Sequence, residues 1–321
     1  MKSIEENVLK LFNEQLQNWE LARQNYADLK EIKQRKITTD GCNIELQFNP
    51  ARLKSSAAKT DKKSIAKRAC FLCAANRPAA QKGVGATLSS GKHYDILLNP
   101  YPIFAKHLTL VDANHVDQRI EGRMLDMLHL AQMLPHFTLF YNGANCGASA
   151  PDHFHFQACE KGSLPVEVDF LHQSDLFQLC FWQSQTKIYV STEKYMRSVV
   201  VLESTYLADL LTQFNEIYRY LLTSASTEEP MLNILCCFDE QIQRVFIFPR
   251  AVQRPAAFYA TGEQQIMVSP AAVEMGGKII LPREEDFHKL SLEQVKTIYR
   301  EVSVSIDGYE LRKALVQPPN F

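Results

Sequence analysis

The sequence predicts an α+β fold made of two copies of one structural unit, each a mainly antiparallel sheet with packed helices. The first observation behind this prediction is an order of strand, helix, strand and strand that occurs twice along the chain. The second is size, because 321 residues with 46% hydrophobic content suffice for two domain-sized cores. We predict an N-terminal helix over residues 1–36, a first half over residues 37–185 and a second half over residues 186–321.

The N-terminal segment has the apolar spacing of an amphipathic helix. Between residues 3 and 35 the apolar positions recur every three or four residues, at Trp19, Ala22, Tyr26, Leu29 and Ile32. The remaining positions are mostly Gln, Lys, Arg and Glu. This pattern indicates a packing helix, and a contact with a second copy of the chain in a homodimer is one use for its apolar face.

The first half alternates short strands with turns and contains one helix. A helix from Ile120 to Leu134 ends at Pro135, and Gly83 to Gly85 reads as a glycine-rich turn. The predicted strands of this half are Tyr94–Leu98, His107–Val111, Phe137–Asn142 and His153–Cys159, with a tight break at Asn99–Pro102.

The second half repeats this order more faintly. A strand from Arg197 to Leu202 is followed by a helix from Ser204 to Leu222. The other predicted elements are a hairpin of Met231–Phe238 and Gln243–Phe248, a strand Lys278–Leu281 and a helix Ser291–Val304. At the position that corresponds to the His153–Cys159 strand, this half has Arg244–Phe248 and no histidine.

Composition excludes several classes of partner. The formal net charge is −1, which gives no general attraction for nucleic acid or a membrane surface. The chain has no apolar run near the ~20 residues of a spanning helix and no signal-peptide core at its N-terminus. The eight cysteines, without an export signal, indicate reduced thiols. We therefore expect a soluble, cytoplasmic protein that binds neither nucleic acid nor membrane.

The segment from Phe140 to Gln157 concentrates groups that suit chemistry on phosphorus. In a strand, His153, His155 and Gln157 project from one face, and Phe154 and Phe156 from the other. A neutral imidazole can attack phosphorus while its second nitrogen is held by a carbonyl. The preceding loop, residues 143–149, can bring backbone N–H groups to phosphate oxygens. Two incidental histidines near a sheet edge are the alternative, but their occurrence beside the glutamine and the loop favours a site.

This segment resembles the active-site strand of the histidine-triad (HIT) superfamily. Glutamine in place of a third histidine resembles its transferase and phosphorylase branch, which contains galactose-1-phosphate uridylyltransferases, diadenosine tetraphosphate phosphorylases and GDP-hexose phosphorylases. The segment Leu97–Val111 is similar to the nucleoside-side hairpin of that family. The tail from Val268 to Gly277, followed by Asp286-Phe287, resembles the GDP-hexose phosphorylases in particular. The resemblance implies two HIT-like repeats, of which only the first retains the histidines.

The resemblance also implies a mechanism and a set of partners. His155 would be the nucleophile that takes the nucleotidyl group, and Gln157 would hold the phosphate. The substrate would be a nucleotide sugar or a dinucleoside polyphosphate, the acceptor inorganic phosphate or a sugar phosphate, and no organic cofactor would be required. The residues expected to bind nucleotide or phosphate are Asn99, Asn142, Gly147, Ser149, Arg52 and Arg77.

Two features keep alternatives open. The chain has one residue more than expected between Ser149 and His153, which is compatible with a nucleotide-binding or sensing protein that has lost catalysis. Hydrolysis is a weaker alternative, which the presence of Gln157 disfavours.

The basic stretch from Ala51 to Arg68 is either a solvated loop or a flap over an anionic substrate. It includes Lys54, Lys59, Lys62, Lys63 and Lys67.

A metal site is also indicated. Cys70 and Cys73 form a C-x-x-C pair, which is half of a tetrahedral zinc site, although a redox pair or two buried structural cysteines have the same spacing. The uridylyltransferases have the same CFLC string, with two histidines that complete the zinc sphere. The resemblance therefore implies that His115 and His153 complete a structural zinc site here.

Overall fold

The computed structural model describes residues 3–39, 42–53, 65, 68–223, 225 and 228–316. Within these residues the chain forms thirteen strands and ten α-helices. The helices are α1 Ile4–Asn18, α2 Glu20–Asp28, α3 Met124–Met133, α4 Pro165–His172, α5 Leu207–Thr223, α6 Ala256–Tyr259, α7 Ala272–Met275, α8 Glu284–Lys289, α9 Leu292–Val302 and α10 Gly308–Val316. The strands are β1 Lys33–Thr39, β2 Cys42–Phe48, β3 Gly83–Thr87, β4 His93–Leu98, β5 His107–Asp112, β6 Phe137–Asn142, β7 His155–Glu160, β8 Phe177–Gln183, β9 Thr186–Ser191, β10 Val200–Ser204, β11 Leu232–Asp239, β12 Ile242–Pro249 and β13 Lys278–Leu281.

Ten of these strands form one antiparallel sheet whose order is the same read from either edge. The order is β3-β4-β5-β7-β6-β11-β12-β10-β9-β8, so each half contributes five strands in the same relative arrangement. The two halves join where β6 pairs antiparallel with β11. Helix α3 lies between β5 and β6 in the chain, as α5 lies between β10 and β11. The structure thus confirms the α+β class, and its strand order is that of a duplicated unit with β12 in the place of β7.

A second, smaller sheet and the helices cover the two faces of the large sheet. One hydrophobic core contains residues of α1, α2, α3, α5 and α10 together with one face of the strands. The other core contains residues of the β1-β2-β13 sheet and of α4, α7, α8 and α9. Strand β13, from the second half, pairs parallel with β2, from the first half. This pairing ties the two halves together in addition to the β6–β11 contact.

The structure corrects three parts of the sequence-based description. The N-terminal helix is broken at Trp19, whose backbone is extended at φ −121° and ψ 101°, and β1 already begins at Lys33. Residues 83–85 belong to β3, because their backbone pairs with β4, and do not form a turn. The hairpin of β8 and β9, which turns at Ser184 with φ 50°, was not predicted. In each case pairing or burial in the folded chain overrides the local pattern.

Candidate active site

Strand β7 is the fourth of the first five strands in the sheet and lies between β5 and β6. Phe154 and Phe156 point into the core, where Phe154 stacks on Tyr141 at 6.0 Å and Phe156 stacks on Tyr94 at 6.0 Å. The regular strand begins at His155 and not at His153, because residue 153 belongs to a turn in which its N–H donates to the carbonyl of residue 150. Packing of the aromatic face therefore holds the strand in position, and the opposite face presents His155 and Gln157 to the candidate site.

His155 is held in one tautomer by the backbone. Its Nδ1 lies 2.8 Å from the carbonyl oxygen of His153. A carbonyl can only accept, so Nδ1 carries the hydrogen and Nε2 keeps its lone pair. The residue is 3% exposed, and burial lowers its pKa to about 4. The imidazole is thus neutral at pH 7, which is the form that can act as a nucleophile.

Gln118 supports the backbone of His155 from the side of β6. The β6–β7 ladder ends at Phe140 and Gln157, two residue pairs before His155 would face Asn142. The Gln118 side chain fills this gap: its Oε1 accepts from the His155 N–H at 2.8 Å, and its Nε2 donates to the carbonyls of His155 at 2.9 Å and Asn142 at 3.0 Å. Gln118 was not predicted, because a glutamine in a loop gives no signal in the sequence.

Gln157 is oriented by two donors. Its Oε1 accepts from His107 Nε2 at 2.9 Å and from Asn99 Nδ2 at 3.4 Å. His107 Nδ1 in turn accepts from the N–H of Ile103 at 3.2 Å, so the ring hydrogen lies on Nε2. Burial, with a smaller contribution from the charge of Arg52, lowers the pKa of His107 to about 3. Because its oxygen is occupied, Gln157 offers its NH₂ group as a donor. His107 was predicted only as the start of a strand.

The loop between β6 and β7 packs against the tail of the second half. Asn142 Oδ1 accepts from Asn233 Nδ2 at 3.0 Å and from the N–H of Ala272 at 2.8 Å. Gly147 has φ +98°, and a Cβ added there would lie 2.5 Å from the Cβ of Ala271. Only glycine fits this close approach. Asn142 and Gly147 therefore hold the loop in place. The sequence predicted these two residues as phosphate ligands and gave no sign of this structural role.

The other predicted phosphate ligands occupy different surroundings. Ser149 is exposed, and its carbonyl accepts from Arg68 at 3.3 Å. Arg52 donates to the Tyr101 carbonyl at 3.1 Å and is close enough to His107 to affect its pKa. Arg77 forms a 2.6 Å ion pair with Asp95, and its Nε donates to a backbone carbonyl in the C-x-x-C turn. The structure thus places Arg52 beside the site, while the guanidinium of Arg77 is engaged by Asp95 and by the C-x-x-C turn. Lys54, Lys59, Lys62, Lys63 and Lys67 of the proposed flap lie outside the described residues.

The four predicted metal ligands come together. The ligand atoms of Cys70, Cys73, His115 and His153 all lie within 4.8 Å of one another. The Sγ of Cys70 lies 3.3 Å from His153 Nδ1, and the Sγ of Cys73 lies 3.2 Å from His115 Nδ1 and 3.5 Å from His153 Nδ1. Zinc–ligand bonds of ordinary length in a tetrahedron place sulfur and nitrogen about 3.6 Å apart. The cluster is therefore a set of soft ligands at a spacing that suits zinc.

The surroundings of these ligands also fit a metal. His153 Nε2 donates to the carbonyl of Asp112 at 2.9 Å, which leaves Nδ1 unprotonated and directed at the cysteines. A backbone acceptor on the second ring nitrogen is the usual way of orienting a metal-binding histidine. His115 has Asp152 at 3.9 Å from its Nε2. The Cys₂His₂ cluster can thus bind a metal ion through groups that are already oriented.

Comparisons with known proteins support a relationship between this chain and the HIT-superfamily phosphorylases. Two family models match the chain: a domain of unknown function, DUF4922, over residues 11–160 and a GDPGP1-like C-terminal domain over residues 170–317. The chain is thus related to the HIT-superfamily phosphorylases, as the sequence predicted. No curated protein matches the sequence.

Solved structures of one enzyme share the fold along nearly the whole chain. Yeast Ap4A phosphorylase Apa2 superimposes with a TM-score of 0.61 and 18% identity, covering 89% of this chain and 96% of that chain. Its complex with AMP gives a TM-score of 0.59 at 16% identity, covering 91% and 97% of the two chains. The complex with Ap4A gives 0.57 at 16% identity, covering 89% and 96%. At these identities the likeness shows the fold. Among the described residues, no helix is long and apolar enough to cross a membrane.

Proposed function

We propose that the protein is a phosphorolytic nucleotidyltransferase that acts through a covalent nucleotidyl-histidine on His155. Its substrate is a nucleoside diphosphate sugar of the GDP-hexose type or a dinucleoside polyphosphate. The observation that carries this proposal is the pairing of a neutral His155, whose Nε2 has a free lone pair, with a Gln157 whose amide oxygen is already occupied. Such a pair supplies a nucleophile and an uncharged donor for phosphate oxygens.

The reaction proceeds in two displacements. His155 Nε2 attacks the α-phosphorus, a P–N bond forms, and the P–O bond to the leaving sugar phosphate or nucleotide breaks with its electron pair. The imidazole is then cationic, and its Nδ1–H remains donated to the His153 carbonyl, which stabilises that charge. In the second step an oxygen of inorganic phosphate, or of a sugar phosphate, attacks the same phosphorus. The P–N bond breaks and neutral His155 is restored.

Neighbouring groups bind the two anions. The Gln157 NH₂ group donates to an oxygen of the transferred phosphoryl group, and the loop with Gly147 and Ser149 borders it. Asn99 positions Gln157 and lies on the hairpin that would contact the nucleoside. Arg52, beside His107, is the cation best placed for the acceptor or leaving phosphate. Arg77 acts indirectly, by holding the C-x-x-C turn.

A zinc ion on Cys70, Cys73, His115 and His153 would cross-link the C-x-x-C turn to the segment that precedes β7. When bound, the metal supplies structural rigidity, because four protein ligands leave no open position for substrate.

The eight cysteines are free thiols, which supports a reducing, cytoplasmic location. The proposed domain division stays at residues 1–36, 37–185 and 186–321, and the proposed assembly is a homodimer.

The test is a panel of GDP-hexoses, UDP-hexoses and dinucleoside polyphosphates, each assayed with and without inorganic phosphate. We expect a nucleoside diphosphate to be released from an active substrate only when inorganic phosphate is present, because the nucleotidyl group is transferred to that phosphate. A substrate labelled in the nucleotidyl group should leave an acid-labile label on the wild-type chain. His155→Ala should abolish turnover and labelling, whereas His129→Ala, on helix α3, serves as the matched control and should retain both.

A nucleotide-binding or sensing protein is the alternative that this panel separates from an enzyme. Tight nucleotide binding without turnover in the wild type, together with unchanged affinity in His155→Ala, would establish that alternative. Release of nucleotide at the same rate without phosphate would instead establish hydrolysis.

A further inference from the structure

Arg250 is a buried cation of the second half whose hydrogen-bond partners are all uncharged. The residue directly follows β12 and is 3% exposed, and burial lowers the pKa of its guanidinium. A guanidinium has five N–H groups, and each of them finds an acceptor here. The acceptors are the carbonyls of Val302 at 3.0 Å, Pro270 at 2.9 Å, Val252 at 3.1 Å and Gln253 at 3.0 Å, and the side-chain Oδ1 of Asn233.

The bond from Arg250 sets which end of the Asn233 amide faces the first half. Arg250 can only donate, so the Asn233 atom that it contacts is Oδ1, and the NH₂ group points the other way. That NH₂ group donates to Asn142 Oδ1 at 3.0 Å and to the carbonyl of Cys146 at 2.8 Å. A reversed amide would place an oxygen against these two acceptors. Arg250 thus makes Asn233 a donor to the loop between β6 and β7.

A second contact of Arg250 reaches the same loop. Its Nη1 donates to the Pro270 carbonyl and so fixes the start of the segment that leads into α7. Gly147 packs against this segment so closely that an added Cβ would lie 2.5 Å from the Cβ of Ala271. The loop of residues 143–149 is therefore held from two sides by groups that Arg250 orients.

This loop presents backbone N–H groups that are not used within the backbone. No backbone carbonyl of the described residues accepts a hydrogen bond from the N–H of Gly147, Ala148 or Ser149. Gly147 has φ +98°, and successive N–H groups around a residue of this conformation can form a concave anion site. These N–H groups suit oxygens of the transferred phosphoryl group, provided that the loop is held in one conformation.

We propose that Arg250 is a positioning residue for the reaction at His155. Through the Asn233 amide and the Pro270 carbonyl, it holds the loop of residues 143–149 in the conformation that directs the loop N–H groups at the phosphoryl oxygens. The guanidinium itself does not bind substrate, because all five of its N–H groups are occupied. This inference rests on the proposed function, and it gives the half without histidines a part in the reaction.

The test measures how fast His155 becomes labelled when enzyme is mixed with a substrate labelled in its nucleotidyl group, without inorganic phosphate. Arg250→Met removes all five donors. Asn233→Asp is nearly isosteric and keeps the acceptor for Arg250, but it replaces two donated hydrogen bonds by contacts between oxygens. We expect the rate constant of labelling to fall about ten- to hundredfold in both variants, because the loop N–H groups shift from the phosphoryl oxygens.

The labelled fraction separates positioning from a loss of folded protein. The measurement is made at a temperature at which circular dichroism shows every variant to be folded, and the final labelled fraction should then equal that of the wild type. Arg197→Met is the matched control, because Arg197 is also a buried arginine of the second half, 1% exposed, and it donates to the Tyr195 hydroxyl. Its replacement should lower the melting temperature and leave the labelling rate constant unchanged.

Hydrogen–deuterium exchange tests the same inference without a substrate. Within the loop, the amides of Gly143 and Cys146 donate to backbone carbonyls and are the protected ones. We expect these amides to exchange at least tenfold faster in Arg250→Met and Asn233→Asp than in the wild type, while the amides of β7 exchange at the wild-type rate.

A wild-type rate constant of labelling in either variant would overturn the proposal, and so would unchanged exchange of the loop amides. Failure of the proposed function is seen separately, as absence of label on His155 in the wild type with every substrate of the panel. The exchange measurement would then still decide whether Arg250 holds the loop.

Discussion

Replacing Gln118 by leucine tests whether this side chain holds the backbone of the proposed nucleophile. Leucine has a similar volume but makes no hydrogen bonds, so Gln118→Leu removes three bonds without opening a large cavity. Gln118 is 1% exposed, and its own backbone is fixed by bonds from its N–H to the Pro151 carbonyl and from the Tyr141 hydroxyl to its carbonyl, both 3.1 Å long. The substitution should therefore leave the loop in place.

The magnitude follows from the groups that lose their partners. The substitution leaves the N–H and carbonyl of His155 and the carbonyl of Asn142 without the bonds of 2.8, 2.9 and 3.0 Å that Gln118 makes. Each buried backbone group left unpaired costs about 1–3 kcal/mol, and relaxation makes three such costs less than additive, so we expect a loss of about 3–5 kcal/mol. Against the ~5–15 kcal/mol that holds most domains folded, this is a large fraction.

Chemical denaturation of wild type, Gln118→Leu and the exposed control Gln17→Leu measures the unfolding free energy. A second measurement is turnover, at a temperature below the melting temperature of the variant. It reports the effect of the substitution on the proposed reaction, because a shifted His155 backbone displaces Nε2 from the phosphorus that it would attack. We expect activity to fall at least tenfold in the fraction that remains folded. A loss of stability below 1 kcal/mol, or full activity in the folded variant, would show that Gln118 does not support His155.

Three further predictions concern the surroundings of the site. His107→Leu should lower kcat/KM about ten- to hundredfold with little change in far-UV circular dichroism, because Gln157 loses the donor that orients its amide; a change below twofold would refute this role. Cys73→Ser should lower the zinc content of protein purified without added metal well below the expected one equivalent and lower the melting temperature; equal zinc in both proteins would exclude the site. Burial raises the pKa of Glu229 to about 7, so this group favours folding below pH 4.5 and loses that contribution as the pH rises through 7. Glu229→Gln, which can still bond Tyr141, should reduce the decline of melting temperature between pH 5 and pH 8, and an unchanged profile would contradict the raised pKa.

The elements that the sequence predicted well are those whose pattern is set by burial on one face. Strand β7 follows from the alternation of Phe154 and Phe156 with polar residues, and both rings are fully buried. The hairpin of β11 and β12 follows from two apolar runs around a polar turn. The grouping of Cys70 with His153 depended on family resemblance, since nothing local connects residues 83 positions apart.

The sequence does not show which residues become hydrogen-bond or ion-pair partners in the folded chain. The Gln118 side chain makes three hydrogen bonds to β6 and β7, and His107 makes one to Gln157. A polar residue in a loop or at a strand end has no periodicity to reveal such bonds. For Arg77, the sequence suggested a partner that differs from the one found in the folded chain. Its charge suggested a phosphate contact, but the carboxylate of Asp95, on β4, lies 2.6 Å from the guanidinium of Arg77. Charge alone does not show whether a cation is already paired.

His153 links the Cys₂His₂ cluster to the strand that carries the proposed nucleophile. Its ring is held between the cysteines on Nδ1 and the Asp112 carbonyl on Nε2, while its own carbonyl accepts from His155 Nδ1. One residue thus connects the metal cluster to the group that fixes the tautomer of the proposed nucleophile. A metal ion at this place would act on the reaction only by holding that carbonyl still. In the equivalent strand of the second half, β12, Arg244 instead forms an ion pair with Glu203 of β10. Strand β12 thus has an ion pair to β10 where β7 has the proposed nucleophile, and it continues the sheet on the other side of the β6–β11 contact.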